Sequence, residues 1–227
     1  MTRSRPSTRA PNPRQVVLLG HRATGKTTLG RIAAELLDWD FVDLDRRIEE
    51  RTGKAPEVLV AEDEDAFRRI EREQLQKILD EEDDGGRIIS PGAGCTQVPE
   101  STLCAWLWRD GWERTAMRSR ARLRPDWSFE REIEWMRSTR EPLWEENAHL
   151  FVEIPRGRTP RFAGQMLASY LAWATAIAQS PLARRTWIVP NGPDQLDRAA
   201  RDCAGLGLAG IEIRSDHFAD APRSDRK

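Results

Sequence analysis

The sequence contains no apolar run of the roughly 20 residues that a membrane-spanning helix needs. Its apolar runs are short, as at Val16 to Leu19. Cysteine is scarce, with Cys95, Cys104 and Cys203 forming no CxxC pair, and the histidines His21, His149 and His217 are scattered. That spacing offers no ligand set for a zinc or iron–sulfur site, and sparse, odd-numbered cysteine fits a reducing cytoplasm. There is no excess of either charge: 36 Lys and Arg stand against 37 Asp and Glu. A balanced chain has no electrostatic reason to bind bulk nucleic acid. The first residues lack the apolar stretch of a secretory signal. Residues 1–14 are basic and rich in Ser, Thr and Pro, and read as a disordered leader. An organellar transit peptide is the remoter reading, because Pro6, Pro11 and Pro13 interrupt any amphipathic helix. Tyrosine is almost missing, with one residue against nine Trp and six Phe.

What is present suits a cytoplasmic globular protein. At 227 residues the chain holds one large domain, or one domain and a remainder, and closes a core without a disulfide or metal staple. Short apolar runs at 15–19, 41–42, 88–89, 103–107 and 150–154 read as strands. Helical spacing separates them at 27–37, 44–52, 56–61, 64–82, 110–123, 128–147 and 159–178. Such alternation predicts a parallel sheet covered by helices on both faces. Residues 15–178 therefore form the main domain. Residues 179–227 read as a linker and a short β-α-β tail.

The sharpest motif follows the first strand. Gly20-His21-Arg22-Ala23-Thr24-Gly25-Lys26-Thr27 matches GxxxxGK[ST] and opens a helix, the context of a phosphate-binding P-loop. Its glycines let the chain turn so that successive N–H groups point inward. The helix adds the positive end of its dipole. Lys26 supplies a point charge for β- and γ-phosphates, and Thr27 a hydroxyl for Mg²⁺. The motif implies a nucleoside triphosphate without naming the reaction.

Three clusters bear on the acceptor. Asp43 and Asp45 lie at the carboxyl end of the second strand, the edge where open α/β sheets bind ligands. One could support Mg²⁺ and the other accept a proton from an attacking hydroxyl. An N-cap with an acidic first turn would look the same. Arg68 and Glu71 share a helix face, as a carboxylate-binding fork with its holder or as a solvated ion pair. Gly92-Ala93-Gly94 follows the third strand, either to admit a ligand to backbone N–H groups or as a plain turn.

Together these residues resemble the shikimate kinase family from about Gln15 to Tyr170, most densely over residues 20–53 and 64–75. The resemblance implies a P-loop NTPase-type three-layer α/β/α fold with a five-stranded parallel sheet and an arginine-rich lid. It implies ATP-dependent phosphorylation of shikimate, with ATP and Mg²⁺ as cofactors and shikimate as the small-molecule partner of a cytoplasmic monomer. On that resemblance Lys26, Asp45 and Arg124 are catalytic. Gly20, Ala23, Thr24, Gly25, Lys26, Thr27, Thr28 and Arg124 bind the nucleotide. Asp45, Arg68, Gly92, Ala93, Gly94 and Arg140 bind the acceptor, and Thr27 and Asp43 serve the metal. The lid at about 115–128 carries Arg118, Arg120, Arg122 and Arg124.

The chain departs from the family pattern at Ala23 and Ala93, where glycine is usual, and at Asp63. Residues 95–102 lack the helix the family carries there, and Met117 holds the register of an adenine-stacking arginine. The tail, with Gly210-Ile211-Glu212-Ile213-Arg214-Ser215-Asp216 after a strand and a helix, weakly resembles the opening of a type I 3-dehydroquinate dehydratase barrel, either as the remnant of a fused enzyme or as an appended β-α-β piece. It is too short to close such a barrel. Two alternatives remain: a related kinase with a gluconate-like or nucleotide acceptor, and a degenerate nucleotide-binding module.

Overall fold

A computed structural model describes residues 12–81, 85–99, 102–119, 126–155 and 157–179. The chain divides into two compact units, 1–172 and 173–227. The first holds the sheet and every side chain discussed below. The leader residues 1–11, the lid arginines Arg120, Arg122 and Arg124, and the strand–helix–strand reading of the tail lie outside the described residues.

The elements run β1 (Asn12–Leu19), α1 (Lys26–Leu37), β2 (Asp40–Asp43), α2 (Leu44–Thr52), α3 (Pro56–Glu62), α4 (Glu64–Asp80), β3 (Arg87–Ser90) and β4 (Thr102–Arg109). Then follow α5 (Trp112–Ser119), α6 (Phe129–Asn147), β5 (Leu150–Ile154) and α7 (Pro160–Gln179). The five strands form one sheet in the order β2-β3-β1-β4-β5, and each neighbouring pair is parallel. This is the expected helix-covered parallel sheet.

β1 occupies the centre, so Val16, Val17, Leu18 and Leu19 are buried on both faces. It begins at Asn12 rather than Gln15. Asn12 pairs with Thr102, and an irregularity separates that pair from Val16 opposite Leu103. The added residues, Asn12, Pro13 and Arg14, left no apolar strand signal in the sequence. α1 packs closely on the sheet, because at Gly30 a side chain would meet Leu18 and Phe41. α7 comes equally close to α1, with Gly164 against Ile32.

Local sequence explains the helix ends. Asp63 closes α3 and caps α4, accepting from Ala66 N at 2.9 Å, which accounts for an acid where the family has glycine. Ser128 caps α6 in the same way. No helix lies in the described part of the β3–β4 connection, in keeping with the shortened 95–102 stretch.

Candidate active site

The carboxyl ends of β1, β2 and β3 converge on a cleft of about 520 Å³. Lys26, Thr27 and Asp45 line it, together with Gly92 and Ala93. Gly25, with φ 98°, turns the chain into α1 in the left-handed conformation that glycine adopts without penalty. Ala23 also lies in that region, with φ 63°. A methyl-bearing residue is strained there, so of the departures from glycine at Ala23, Asp63 and Ala93 this is the one with a backbone cost. Ala93 has no positive φ among the described residues.

Lys26 is folded back on the loop. Its Nζ donates to the carbonyls of Gly20 at 2.7 Å and His21 at 3.0 Å. Thr24 is buried and donates to the same His21 carbonyl at 2.9 Å. The Thr27 hydroxyl lies 3.4 Å from the Ser90 hydroxyl. Ser90 was not singled out in the sequence, yet it sits opposite Asp43 in the β2–β3 register. Strand-end position relative to the P-loop was the signal that could have found it.

Asp43 does cap α2, accepting from Arg46 N at 3.3 Å. Asp45 occupies the first turn of that helix. The Oδ1 atom of Asp45 is buried and has no hydrogen-bond partner among the described residues. Burial, then the Glu71 and Asp43 carboxylates, push its pKa up to about 6, against a smaller pull from Lys26. An orphaned acceptor with a raised pKa is a receptive place for a hydroxyl group and its proton.

Arg68 donates to Glu71 at 2.8 Å and lies 3.4 Å from Glu64. Burial opposes its charge, but Glu71 and Glu64 outweigh that and raise its pKa. Glu71 is buried, and its Oε1 has no hydrogen-bond partner among the described residues. A Cβ at Gly94 would run into the Arg68 guanidinium, so a larger residue there would have to displace that side chain. At Gly92 the neighbour is the Asp45 carboxylate. Arg140 is buried on α6 and donates to the Ala93 carbonyl at 3.0 Å, with its guanidinium 5.1 Å from the centre of the Trp135 ring. Burial, then repulsion from Arg68, lower its pKa to about 10, so it stays charged at neutral pH.

The Gly92–Gly94 turn therefore joins Asp45, Arg68 and Arg140. The arginines meet this turn without lining the cleft itself. Among the cleft residues missed in the sequence are Arg22, Glu57, Arg109, Thr115 and Pro160. Arg22 lies 3.9 Å from Glu132 of α6. Arg109 ends β4, an otherwise apolar strand that gave no hint of a site. Met117 is half exposed on α5 and Arg124 lies outside the described residues.

This assembly sets the GxxxxGK[ST] loop beside a buried carboxylate and two guanidinium groups. The shikimate kinase family model matches residues 22–169. A shikimate kinase of Nitrosospira multiformis is 30% identical over 164 residues, covering 69% of this chain and 84% of the relative. The solved shikimate kinase of Acinetobacter baumannii in complex with shikimate superposes with a TM-score of 0.60 at 27% identity, over 72% of this chain and 93% of that one. A pentafunctional AROM polypeptide of Zygosaccharomyces rouxii is 25% identical over 225 residues, covering 91% of this chain and 14% of that protein. Fold, phosphate loop and sequence likeness over most of the chain agree, and the chain belongs to the shikimate kinase family.

Proposed function

We infer that this kinase transfers the γ-phosphoryl group of ATP to a hydroxyl of shikimate, giving shikimate 3-phosphate and ADP. The observation that carries the acceptor is the meeting of Arg68, Arg140 and Asp45 at one turn beside the phosphate loop. Two guanidinium forks suit a carboxylate, and a carboxylate base suits a hydroxyl.

In the reaction, Lys26 leaves its carbonyl partners for the phosphates of ATP. The acceptor hydroxyl gives its proton to Asp45 as its oxygen bonds to the γ-phosphorus. The bond from that phosphorus to the bridging oxygen breaks, and ADP leaves with the electron pair. A base with a pKa of about 6 is better matched to neutral pH than an ordinary carboxylate. Catalysis otherwise rests on position and charge.

Thr27 and Asp43 would hold Mg²⁺, since a hydroxyl and a carboxylate are the hard oxygen donors that ion takes. When bound, Mg²⁺ would offset the negative charge of the phosphates. Arg124 would reach the phosphates from the lid. The enzyme is read as a cytoplasmic monomer, and the buried free thiols of Cys95 and Cys104 fit a reducing compartment. Among the described residues no helix is long and apolar enough to cross a membrane. The likeness to the AROM polypeptide extends over more of the chain than the kinase family model does.

A coupled ADP-release assay with shikimate, gluconate and nucleoside monophosphates side by side tests the acceptor. Shikimate at millimolar level should accelerate ADP release above all others. Equal or greater stimulation by gluconate or a nucleotide would overturn the assignment, and ATP binding without any turnover would favour a degenerate module.

A further inference from the structure

His21 is the second residue of the phosphate loop, and its side chain is completely buried. Its ring lies parallel to Trp112 of α5, with centroids 3.9 Å apart and planes 4° apart. Trp144 of α6 meets the same ring edge-on at 4.7 Å. His21 Nε2 lies 2.8 Å from Oε1 of Glu141, the neighbour of Arg140. A carboxylate only accepts, so Nε2 carries the hydrogen in the neutral ring. Burial lowers the His21 pKa, Glu141 opposes this, and Arg140 and Lys26 reinforce it, so the ring is neutral. Its Nδ1 has no hydrogen-bond partner among the described residues.

The main chain of the same residue does a different job. The His21 carbonyl accepts from both Lys26 and Thr24. One residue thus holds the phosphate-binding lysine on its backbone and the arm bearing the acceptor arginine on its side chain. Lys26 and Arg140 belong to separate helices, α1 and α6, with no covalent link shorter than the whole fold between them.

We propose that His21, through Glu141, is a positioning residue that sets the distance between the phosphoryl donor at Lys26 and the carboxylate clamp at Arg140. This rests on the reading of Arg140 as a carboxylate ligand. The stack on Trp112 and Trp144 fixes the ring plane, and the bond to Glu141 then fixes where α6 stands against the loop. Misplacing reactants by about 1 Å can cost ~10²-fold in rate, so a loosened link should appear in turnover of shikimate and leave ATP affinity alone.

The test is a double-mutant cycle with His21→Phe, which keeps the aromatic stack, and Glu141→Ala, a partly exposed position whose truncation leaves the core intact. The readouts are kcat and shikimate KM, with the Kd of a non-hydrolysable ATP analogue beside them. Each single variant should lower kcat/KM for shikimate about 10-fold or more. The double variant should fall no further than the worse single, and the analogue Kd should stay within about 2-fold. His21→Gln, which restores an N–H donor, should recover part of the loss. If His21→Phe does not fold, Glu141→Ala carries the measurement alone. Wild-type kinetics in either single variant, or losses that multiply, would overturn the proposal. Arg140→Ala separates the two readings. If it raises shikimate KM while His21→Phe and Glu141→Ala are silent, only the positioning role fails. If it changes nothing, the acceptor site and the positioning role fall together.

Discussion

The Arg140 guanidinium of α6 donates to the Ala93 carbonyl at 3.0 Å, tying that helix to the turn that follows β3. A backbone carbonyl needs no side chain, so alanine at the middle of the turn is tolerated. Arg140→Lys keeps the charge but loses the planar fork that can hold a carboxylate and the carbonyl together. Shikimate KM should rise about 10-fold or more in steady-state assays while ATP KM changes little.

Asp45 should set the acid limb of activity. Its carboxylate must be ionised to take a proton, and its pKa stands at about 6. The pH profile of kcat/KM for shikimate should therefore climb through about pH 6 and level off above it. A limb near pH 4 would place the base elsewhere. Asp45→Asn should cut kcat about 10²-fold or more.

The same substitution should stabilise the fold. A carboxylate whose folded-state pKa is raised contributes stability below its unfolded value of 3.8 that is lost as pH rises through about 6. At neutral pH the ionised Asp45, beside Glu71 and Asp43, thus holds the fold back by up to about 3 kcal/mol. Urea denaturation of Asp45→Asn should show a gain near pH 7.5 that shrinks towards pH 4. A loss of stability at pH 7.5 would contradict this balance.

Ala23→Gly relieves the strained φ of 63° in the phosphate loop. Removal of a Cβ from a left-handed residue should add about 1 kcal/mol, partly offset by the freer unfolded chain. Denaturation midpoints compared at one pH measure it, and an unchanged or lower midpoint would mean that the loop does not carry the strain.

The phosphate loop was legible because its residues are contiguous and their roles belong to the backbone. Sheet and helices were legible from short apolar runs set against helical spacing. What escaped depends on distance along the chain. His21 and Glu141 meet through a hydrogen bond spanning 120 residues, and no local pattern connects them. Ser90 became a neighbour of Thr27 only through strand register. The surplus of tryptophan had no local meaning either. In the fold, Trp112 and Trp144 clasp His21, Trp135 lies under Arg140, and Trp127 packs edge-on against Trp135. The Asp43 capping contact was one of two readings left open, and it holds.

The central place of β1 carries a consequence for biosynthesis. Val16 and Val17 leave the ribosome well before their partners, Ile88 and Ile89 on one side and Leu103 and Cys104 on the other. Until β4 has been translated, the most buried strand of the finished enzyme keeps an unpaired, sticky edge. Non-local parallel pairing of this kind is slow, so the nascent chain passes through an interval in which it depends on chaperones or on dilution to escape aggregation.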